Sequence, residues 1–250
     1  MGRTHEALIK AERELERKQG RIIDQPVRRD VPIVPTTRVV HNGNAIEGYR
    51  GLKSSLLTHW SNGSPKSLMF VGSAPGDGVT TTGLNFAIIL AKETKKKVLL
   101  IDMNVRTPSI HHMFRIESSP GVTDLSTDLE KVKAGIQKFG PGELFVLPCG
   151  GNKSDPVSLF ESPLFIEFMD SMRSQFDYII LDTPPASRFM ESRVFCSHVD
   201  GVVLVIKYSK TRRQAALSIK KDLEDAGANI LGVVVNKRKF YIPEWLYKRL

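Results

Sequence analysis

The stretch that most constrains this chain joins an apolar strand, a glycine-rich turn and a run of threonines. Residues 68–71 are apolar, the turn 72–78 contains three glycines, and residues 80–82 are threonines that open a helical pattern. Glycines let main-chain amides approach phosphate oxygens, a helix start adds partial positive charge, and a threonine hydroxyl can reach a metal ion. This order of parts predicts a phosphate-binding loop.

The loop departs from the usual pattern at one position. Phosphate loops of this kind end in Gly-Lys followed by Ser or Thr, and the lysine neutralises the β- and γ-phosphates. Here the corresponding residues are Gly78, Val79 and Thr80, so a valine occupies the place of the lysine. The phosphate cradle is therefore expected, but its usual cation is not, and the function depends on that difference.

Beyond residue 66, short apolar runs alternate with helical patterns, notably Leu164–Gln175 and Arg212–Ala226. The predicted strands are Ser67–Val71, Val98–Asp102, Leu144–Pro148, Tyr178–Asp182, Gly201–Ile206 and Ile230–Asn236. Most of them are continuous apolar runs, which are typical of a parallel sheet covered on both faces. The sequence predicts a doubly wound α/β fold with a mostly parallel sheet, helices on both faces and ligands at the carboxyl ends of the strands.

The chain divides into three regions by pattern. Residues 1–43 hold an amphipathic helix at Thr4–Lys18 and a proline-containing linker, and residues 44–236 form the α/β domain, which opens with a helix at Ala45–Trp60. Residues 237–250 form a basic and aromatic tail. Such a tail fits an anionic membrane surface or an acidic partner, with a cap on the domain as the structural alternative.

Composition narrows the function classes. The 250 residues carry a net charge of +9, which fits either a generally basic protein or one that meets an anionic membrane surface. No basic stripe interleaved with aromatic residues stands out, so nucleic acid is not expected as a partner. No apolar run approaches a membrane span, and Cys149 and Cys196 lack metal-ligand spacing. Both cysteines are expected to be free thiols of a cytoplasmic protein.

Two predicted strands end in a carboxylate, at Asp102 and at Asp182. In a doubly wound fold both would face the same crevice as the glycine-rich turn. A carboxylate at the tip of a buried strand is unfavourable unless its charge is used, and Mg²⁺ beside a threonine hydroxyl would use it. A loop cap is the alternative role for either residue.

These motifs together resemble the bacterial tyrosine kinases (BY-kinases), the cytoplasmic kinases of capsule and exopolysaccharide export. Ser73–Gly78 is similar to their Walker A turn, Asp102–Ser109 to their second signature, and Asp182–Pro185 to their Walker B motif. Glu47–Lys53 resembles the helix by which these kinases assemble into rings. The resemblance runs over about residues 46–236 and implies a P-loop NTPase of the deviant-Walker superfamily that includes ParA and MinD.

The resemblance implies a set of site residues. ATP or ADP would bind with Mg²⁺, and the implied nucleotide contacts are Pro75, Gly76, Asp77, Gly78, Val79, Thr80, Thr81 and Asn236. Thr80, Asp102 and Asp182 would hold the metal, and Asp102, Asp182 and Arg106 would form the catalytic set. Asp102 would orient or deprotonate the attacking tyrosine hydroxyl, and Asn236 would read adenine. The structural alternatives are a C-capping turn residue for Asn236 and an ordinary salt bridge for Arg106.

The resemblance also implies partners. Glu47, Arg50 and Lys53 would form the helix of a homo-oligomer, and Tyr241 and Tyr247 are the candidate phosphoacceptors. The activating partner would be the cytoplasmic segment of a membrane polysaccharide co-polymerase, or chain-length regulator. Through it the protein would lie peripherally at the inner membrane.

Departures from the family pattern separate three hypotheses. Val79 replaces the lysine, Asn104 replaces the second aspartate of the second signature, and Lys53 replaces the last arginine of the ring helix. The first hypothesis is a nucleotide-binding regulatory protein with weak or no kinase activity, and the second is an active autokinase with a substitute cation such as Lys207. The third is a ParA/MinD-like positioning ATPase, which is disfavoured because residues 73–75 lack the early lysine of that group.

Overall fold

The computed structural model describes residues 43–58, 66–126, 128–140, 142–151, 155–208 and 210–237. The predicted helix at Thr4–Lys18, the linker after it, and Tyr241 and Tyr247 lie outside these residues. The division of the chain into three regions therefore stays a prediction.

The described chain alternates strands with helices. The strands are β1 Ser67–Gly72, β2 Val98–Asp102, β3 Gln137–Phe139, β4 Leu144–Leu147, β5 Tyr178–Asp182, β6 Gly201–Lys207 and β7 Ile230–Asn236. The α-helices are α1 Gly43–Thr58, α2 Val79–Thr94, α3 Ile110–Phe114, α4 Leu129–Ala134, α5 Pro156–Phe160, α6 Pro163–Gln175, α7 Glu191–Val194 and α8 Arg213–Asp225. Short 3₁₀ helices cover Val122–Ser126 and Cys196–His198.

The strands form one sheet in the order β3-β4-β2-β5-β1-β6-β7. Every pairing is parallel except the one between β3 and β4, which is antiparallel. The prediction of a mostly parallel sheet is confirmed, and each predicted strand has a counterpart. The sequence missed β3 because its three residues, Gln137–Phe139, include two polar ones and give no apolar run.

Alternate residues of the strands face two separate apolar clusters. In β5, Ile179 and Leu181 belong to the cluster that α6 and α8 cover, whereas Tyr178 and Ile180 belong to the cluster that α1, α2 and α3 cover. Both faces of the sheet are thus buried at β1, β2, β4 and β5, as the continuous apolar runs predict, whereas the edge strand β7 is partly exposed. Burial on both faces fixes the strand register, since a shift by one residue would exchange the two faces.

The start of α6 shows how local sequence sets an element boundary. The Ser162 hydroxyl accepts a hydrogen bond from the Phe165 amide at 3.2 Å, and Pro163 occupies the first helical position. A serine cap satisfies an amide that the helix leaves free, and proline at that position loses no hydrogen bond. The helix then places Phe165, Phe168, Met169 and Met172 against the sheet.

Two expectations from composition concern the cysteines and membrane spans. Cys149 and Cys196 are both free and buried, in agreement with the prediction of free thiols. Among the described helices, none combines the length and the apolar character that crossing a membrane requires.

A glycine substitution tests the close approach of two loops. A Cβ at Gly121 would lie 2.2 Å from the Gly150 amide nitrogen and 2.3 Å from the Pro148 carbonyl oxygen, both main-chain atoms. We expect Gly121→Ala to lower the free energy of unfolding by about 2–3 kcal/mol, because the backbone cannot move aside without strain. Urea denaturation measures the change.

The matched control is Gly48→Ala in the middle of α1, where an added Cβ meets no atom within 4 Å. Alanine is the better helix former, so this variant is expected to gain about 0.5–1 kcal/mol. Equal stability of the two variants would contradict the packing described around Gly121.

Candidate functional site

The polar strand ends meet at one edge of the sheet. Asp102 ends β2 and Asp182 ends β5, and the two are direct partners in the parallel register. The glycine-rich loop follows β1, which is the other neighbour of β5. Asn236, at the end of β7, donates a hydrogen bond to this loop. The structure therefore brings together the loop, both carboxylates and Asn236.

Gly78 allows the loop to pass close to Asn236. It has a positive φ of 91°, and an added Cβ would lie 2.2 Å from the Asn236 side-chain nitrogen. A side chain at this position would be both strained and obstructed. Helix α2 begins at the next residue, so the amides of Val79, Thr80 and Thr81 have no acceptor within the helix. These amides are the donors that a phosphate cradle uses.

The carboxylate of Asp77 turns inward and shapes the loop. Its Oδ2 accepts hydrogen bonds from the Ser73 amide at 3.0 Å, the Ser73 hydroxyl at 2.6 Å and the Ala74 amide at 2.8 Å. The residue is buried. Asp77 was predicted as a nucleotide contact. The structure assigns its side chain to the loop itself, while its amide donates to the Ala74 carbonyl oxygen and its own carbonyl oxygen accepts from Asn236, so a nucleotide contact by Asp77 stays a prediction.

Val79 fills its position with an apolar side chain. It is 8% exposed and belongs to the cluster under α1, α2 and α3. The side chain lies against Gly72, where an added Cβ would come within 2.7 Å of Val79 Cγ2. The first residue of α2 therefore brings no charge to the loop.

Asp182 has one oxygen in use and one without a hydrogen-bond partner in the described structure. Thr80 Oγ1 donates to Asp182 Oδ2 at 2.7 Å, while Oδ1 is buried and unbonded. Burial, and then the negative charge of Asp102, raise the pKa of Asp182 well above its usual value. Asp182 Oδ1 is thus buried, lacks a hydrogen-bond partner and lies near the negative charge of Asp102. A divalent cation bound there would stabilise both carboxylates.

Thr80 and Asp182 fit Mg²⁺ as a partial ligand set. Within the described residues there is no cluster of three or more metal-ligating acidic, histidine or cysteine side chains. Mg²⁺ is commonly held by one or two carboxylates while phosphate oxygens and water complete its shell. A threonine hydroxyl with a carboxylate is therefore sufficient for a metal that arrives with a nucleotide.

Asp102 is also fully buried, but both of its oxygens are engaged. Oδ1 accepts from the Asn104 amide at 3.1 Å, and Oδ2 accepts from the Ser109 and Ile110 amides, each at 3.0 Å. Burial raises the pKa of Asp102 to about 6 against the opposing effect of these three amides. The bonding observed is that of a loop cap, the structural alternative, and the catalytic and metal roles stay predictions.

Asn104 closes a turn instead of supplying a second carboxylate. Its Oδ1 accepts from the Thr107 amide at 3.1 Å, and its Nδ2 donates to Thr107 Oγ1 at 3.1 Å. The side chain is buried. The position thus contributes no negative charge to the metal or acceptor region.

Arg106 forms an ordinary salt bridge, which was the structural alternative to its predicted catalytic role. Its Nε donates to Glu191 Oε1 at 2.6 Å, and its Nη2 pairs with the same carboxylate. The guanidinium also lies over the Phe189 ring, 5.4 Å from the ring centre. Glu191 is buried and was not foreseen from the sequence, since no motif links it to Arg106 across 85 residues.

The end of β7 contributes two donors to the loop. Asn236 Nδ2 donates to the Asp77 carbonyl oxygen at 2.9 Å, and Lys237 Nζ donates to the Gly76 carbonyl oxygen at 2.8 Å. Among the described residues, the ammonium on the loop comes from Lys237 and not from Lys207. The sequence signal that could have identified Lys237 is its place directly after Asn236.

The predicted oligomer helix α1 is bound to α2. Arg50 Nε lies 2.6 Å from Glu93 Oε1, Lys53 pairs with the other Glu93 oxygen, and Arg50 also pairs with Glu47. Tyr49 and Leu52 of α1 pack against the apolar cluster to which α2 contributes Leu84 and Phe86. The predicted oligomer residues therefore lie away from the phosphate loop but on a helix that touches α2.

Comparison with known proteins gives a consistent set of similarities. Residues 68–223 match the family described as an AAA domain. The tyrosine-protein kinase YwqD of Bacillus subtilis is 30% identical over 193 residues, which cover 77% of this chain and 81% of that protein.

Solved structures give similarities to the same kind of protein and to the same fold. The kinase domain of VpsO is 32% identical with a TM-score of 0.71, over 78% of this chain and 96% of that one. The septum site-determining protein MinD of Pyrococcus horikoshii, solved with Mg-ADP, is 18% identical with a TM-score of 0.58. That match covers 74% of this chain and 76% of MinD, and at this identity it shows the fold alone.

Replacing Asp182 by asparagine tests the crowding of charge at the site. We expect Asp182→Asn, without Mg²⁺, to raise the melting temperature, because one of two adjacent buried carboxylates becomes neutral. A rise of about 3 °C corresponds to about 1 kcal/mol in a domain of this size. The same variant is expected to lose the further rise that Mg-ADP gives the unmodified protein, as measured by differential scanning fluorimetry.

Asp124→Asn is the matched control, since Asp124 is a buried carboxylate that accepts from Ser119, Gly121 and Gly151. Loss of that charged acceptor is expected to lower stability by about 1–3 kcal/mol. A fall in melting temperature for Asp182→Asn would show that the carboxylate pair is not a source of repulsion.

Proposed function

Because this chain belongs to the bacterial tyrosine kinases, a family of P-loop ATPases, we propose that it binds ATP or ADP with Mg²⁺ and acts mainly as a regulatory protein. Its kinase activity would be weak or absent. The proposed setting is the biosynthesis and export of capsule or exopolysaccharide.

The burial of Val79 carries the proposal. Phosphoryl transfer depends on positive charge placed at the oxygens of the transferring group. The loss of one well-placed donor reduces a rate by about 10²–10³-fold, and the loss of a full charge should reduce it at least as much. Val79 is turned into the apolar cluster and Asn104 is used in a turn, so the two departures remove charge from the centre of the site.

The parts needed for binding are retained. Glycines at positions 76 and 78 shape the loop, the first amides of α2 lack acceptors within the helix, and Thr80 and Asp182 offer oxygens to Mg²⁺. The MinD structure that was solved with Mg-ADP has the same fold, so the fold is one that can bind a nucleotide. ATP–Mg²⁺, when bound, would supply the phosphoryl group. The chain's own residues would hold the phosphates, with Asp102 near the acceptor.

An active autokinase is the second candidate function. It is favoured by Lys237, whose ammonium lies on the loop, and by the presence of both Asp102 and Asp182. The acceptors would be Tyr241 or Tyr247, which lie outside the described residues.

Two measurements separate these candidates. Calorimetry of the full chain with Mg-ATP and Mg-ADP tests the binding, and a phosphotyrosine blot after incubation with Mg-ATP tests the transfer. The regulatory proposal expects binding with little or no phosphotyrosine, with or without a cytoplasmic fragment of a polysaccharide co-polymerase. A robust signal at Tyr241 or Tyr247 would select the autokinase, and the absence of any nucleotide binding would reject both.

We further propose a homo-oligomer and a membrane co-polymerase as partners, which would place the protein at the cytoplasmic side of the inner membrane. Arg50 and Lys53 support the oligomer because α1 keeps the charged pattern of the family's ring helix. Both residues pair with Glu93 of the same chain and are partly exposed. Light scattering of the Arg50→Ala variant tests this role, with a lower mass than that of the unmodified protein as the expected result.

Restoring charge at the two altered positions is expected to raise activity. In Val79→Lys with Asn104→Asp, the rate of phosphotyrosine formation should increase by at least about 10²-fold if the missing cation limits transfer. Incorporation of labelled phosphate from Mg-ATP measures the rate.

Val79→Met with Asn104→Asp is the control, because methionine is comparably long but uncharged. This pair should stay near the activity of the unmodified protein. An equal gain in both double variants would show that charge at position 79 is not what limits the reaction.

A further inference from the structure

The phosphate loop carries one charged side chain of its own, and that charge is negative. Within residues 73–80 the titratable side chain is Asp77, whose carboxylate is buried inside the loop. Val79 adds no cation. An anionic ligand would therefore approach a loop whose own side chains carry negative charge, and the amides alone would have to offset it.

Lys237 changes that balance. Its Nζ lies 2.8 Å from the Gly76 carbonyl oxygen and brings a full positive charge onto the loop. The lysine has a positive φ of 56°, and its amide donates to Asn236 Oδ1 at 2.7 Å. These contacts fix the direction in which the lysine leaves β7, toward the loop.

Asn236 and Lys237 also fix two consecutive peptide groups. A trans peptide points its carbonyl and its amide in opposite directions. Holding the Asp77 carbonyl with Asn236 turns the Gly78 amide to the other side of the chain. Holding the Gly76 carbonyl with Lys237 sets the next amide, which donates to Ala74 and closes the turn.

We propose that Lys237 is a positioning residue of the nucleotide site. Its ammonium holds the Gly76 carbonyl and supplies the loop with the positive charge that Val79 does not. Gly76 lies three residues before the start of α2, so this charge sits beside the loop and acts on nucleoside diphosphates and triphosphates alike. The inference rests on the proposed nucleotide binding and names the residue that sustains it.

The test compares three variants of the full chain. Lys237→Met removes the ammonium, Lys237→Arg keeps a positive charge, and Lys210→Met removes an exposed lysine next to Thr211, whose hydroxyl lies 3.3 Å from Ser73 Oγ. Calorimetry with Mg-ATP and with Mg-ADP gives the affinities. Hydrogen exchange without nucleotide gives the protection of the amides at positions 76–78.

We expect Lys237→Met to weaken ATP and ADP binding by about fivefold each, because the ammonium lies on the loop but is exposed to solvent. Its amides at 76–78 should exchange faster. Lys237→Arg should recover most of the affinity. Lys210→Met should stay within about twofold of the unmodified protein, since the side chain that reaches Ser73 in that segment is that of Thr211.

Three results would overturn the inference: Lys237→Met within twofold of the unmodified protein, a loss confined to ATP, or an equal loss in Lys210→Met. If the unmodified protein binds neither nucleotide, the proposed function fails. The exchange measurement then decides whether Lys237 holds the loop, with unchanged exchange in Lys237→Met counting against it.

Discussion

The fully buried carboxylates of Asp102 and Asp182 impose the constraint on which the site depends. The register of β2 with β5 places them side by side, and burial raises the pKa of both. Each is accommodated in a different way. Asp102 gathers three main-chain amides and thereby fixes the loop that leads to α3, whereas Asp182 accepts one hydroxyl and keeps one oxygen without a hydrogen-bond partner in the described structure. Two neighbouring strand ends therefore carry the same side chain with different bonding.

Under the proposed function, the residues around these carboxylates would support nucleotide binding without supporting phosphoryl transfer. Holding a nucleotide needs amides, a shaped loop and oxygens for a metal, which come from the backbone and from Thr80 and Asp182. Phosphoryl transfer needs positive charge at the γ-phosphate. Val79 stands at the position of the loop lysine that would supply this charge, and its side chain packs into the apolar cluster. On this proposal, Val79 would alter the activity and leave the stability in place, since a buried valine is compatible with a well-packed helix start.

The sequence predicted the fold and the convergence of its strand ends, because long apolar runs and fixed connection rules decide both. It did not predict β3, whose three residues are paired only through β4. It also could not predict contacts made by long side chains between distant segments. The pairing of Arg106 with Glu191 and the reach of Lys237 to Gly76 depend on loop geometry that no spacing encodes. The sequence also did not predict that the Asp77 carboxylate turns into its own loop, because that contact too depends on loop geometry.

The position of Lys237 has a consequence for the chain beyond it. The residue that touches the phosphate loop is also the last described residue before the basic, aromatic segment 238–250. A ligand of that segment that drew Lys237 away from Gly76 would change nucleotide affinity. Thermodynamic reciprocity then requires a bound nucleotide to change the affinity for that ligand by the same factor. Nucleotide binding at the loop and ligand binding by segment 238–250 would then be coupled through the side chain of Lys237.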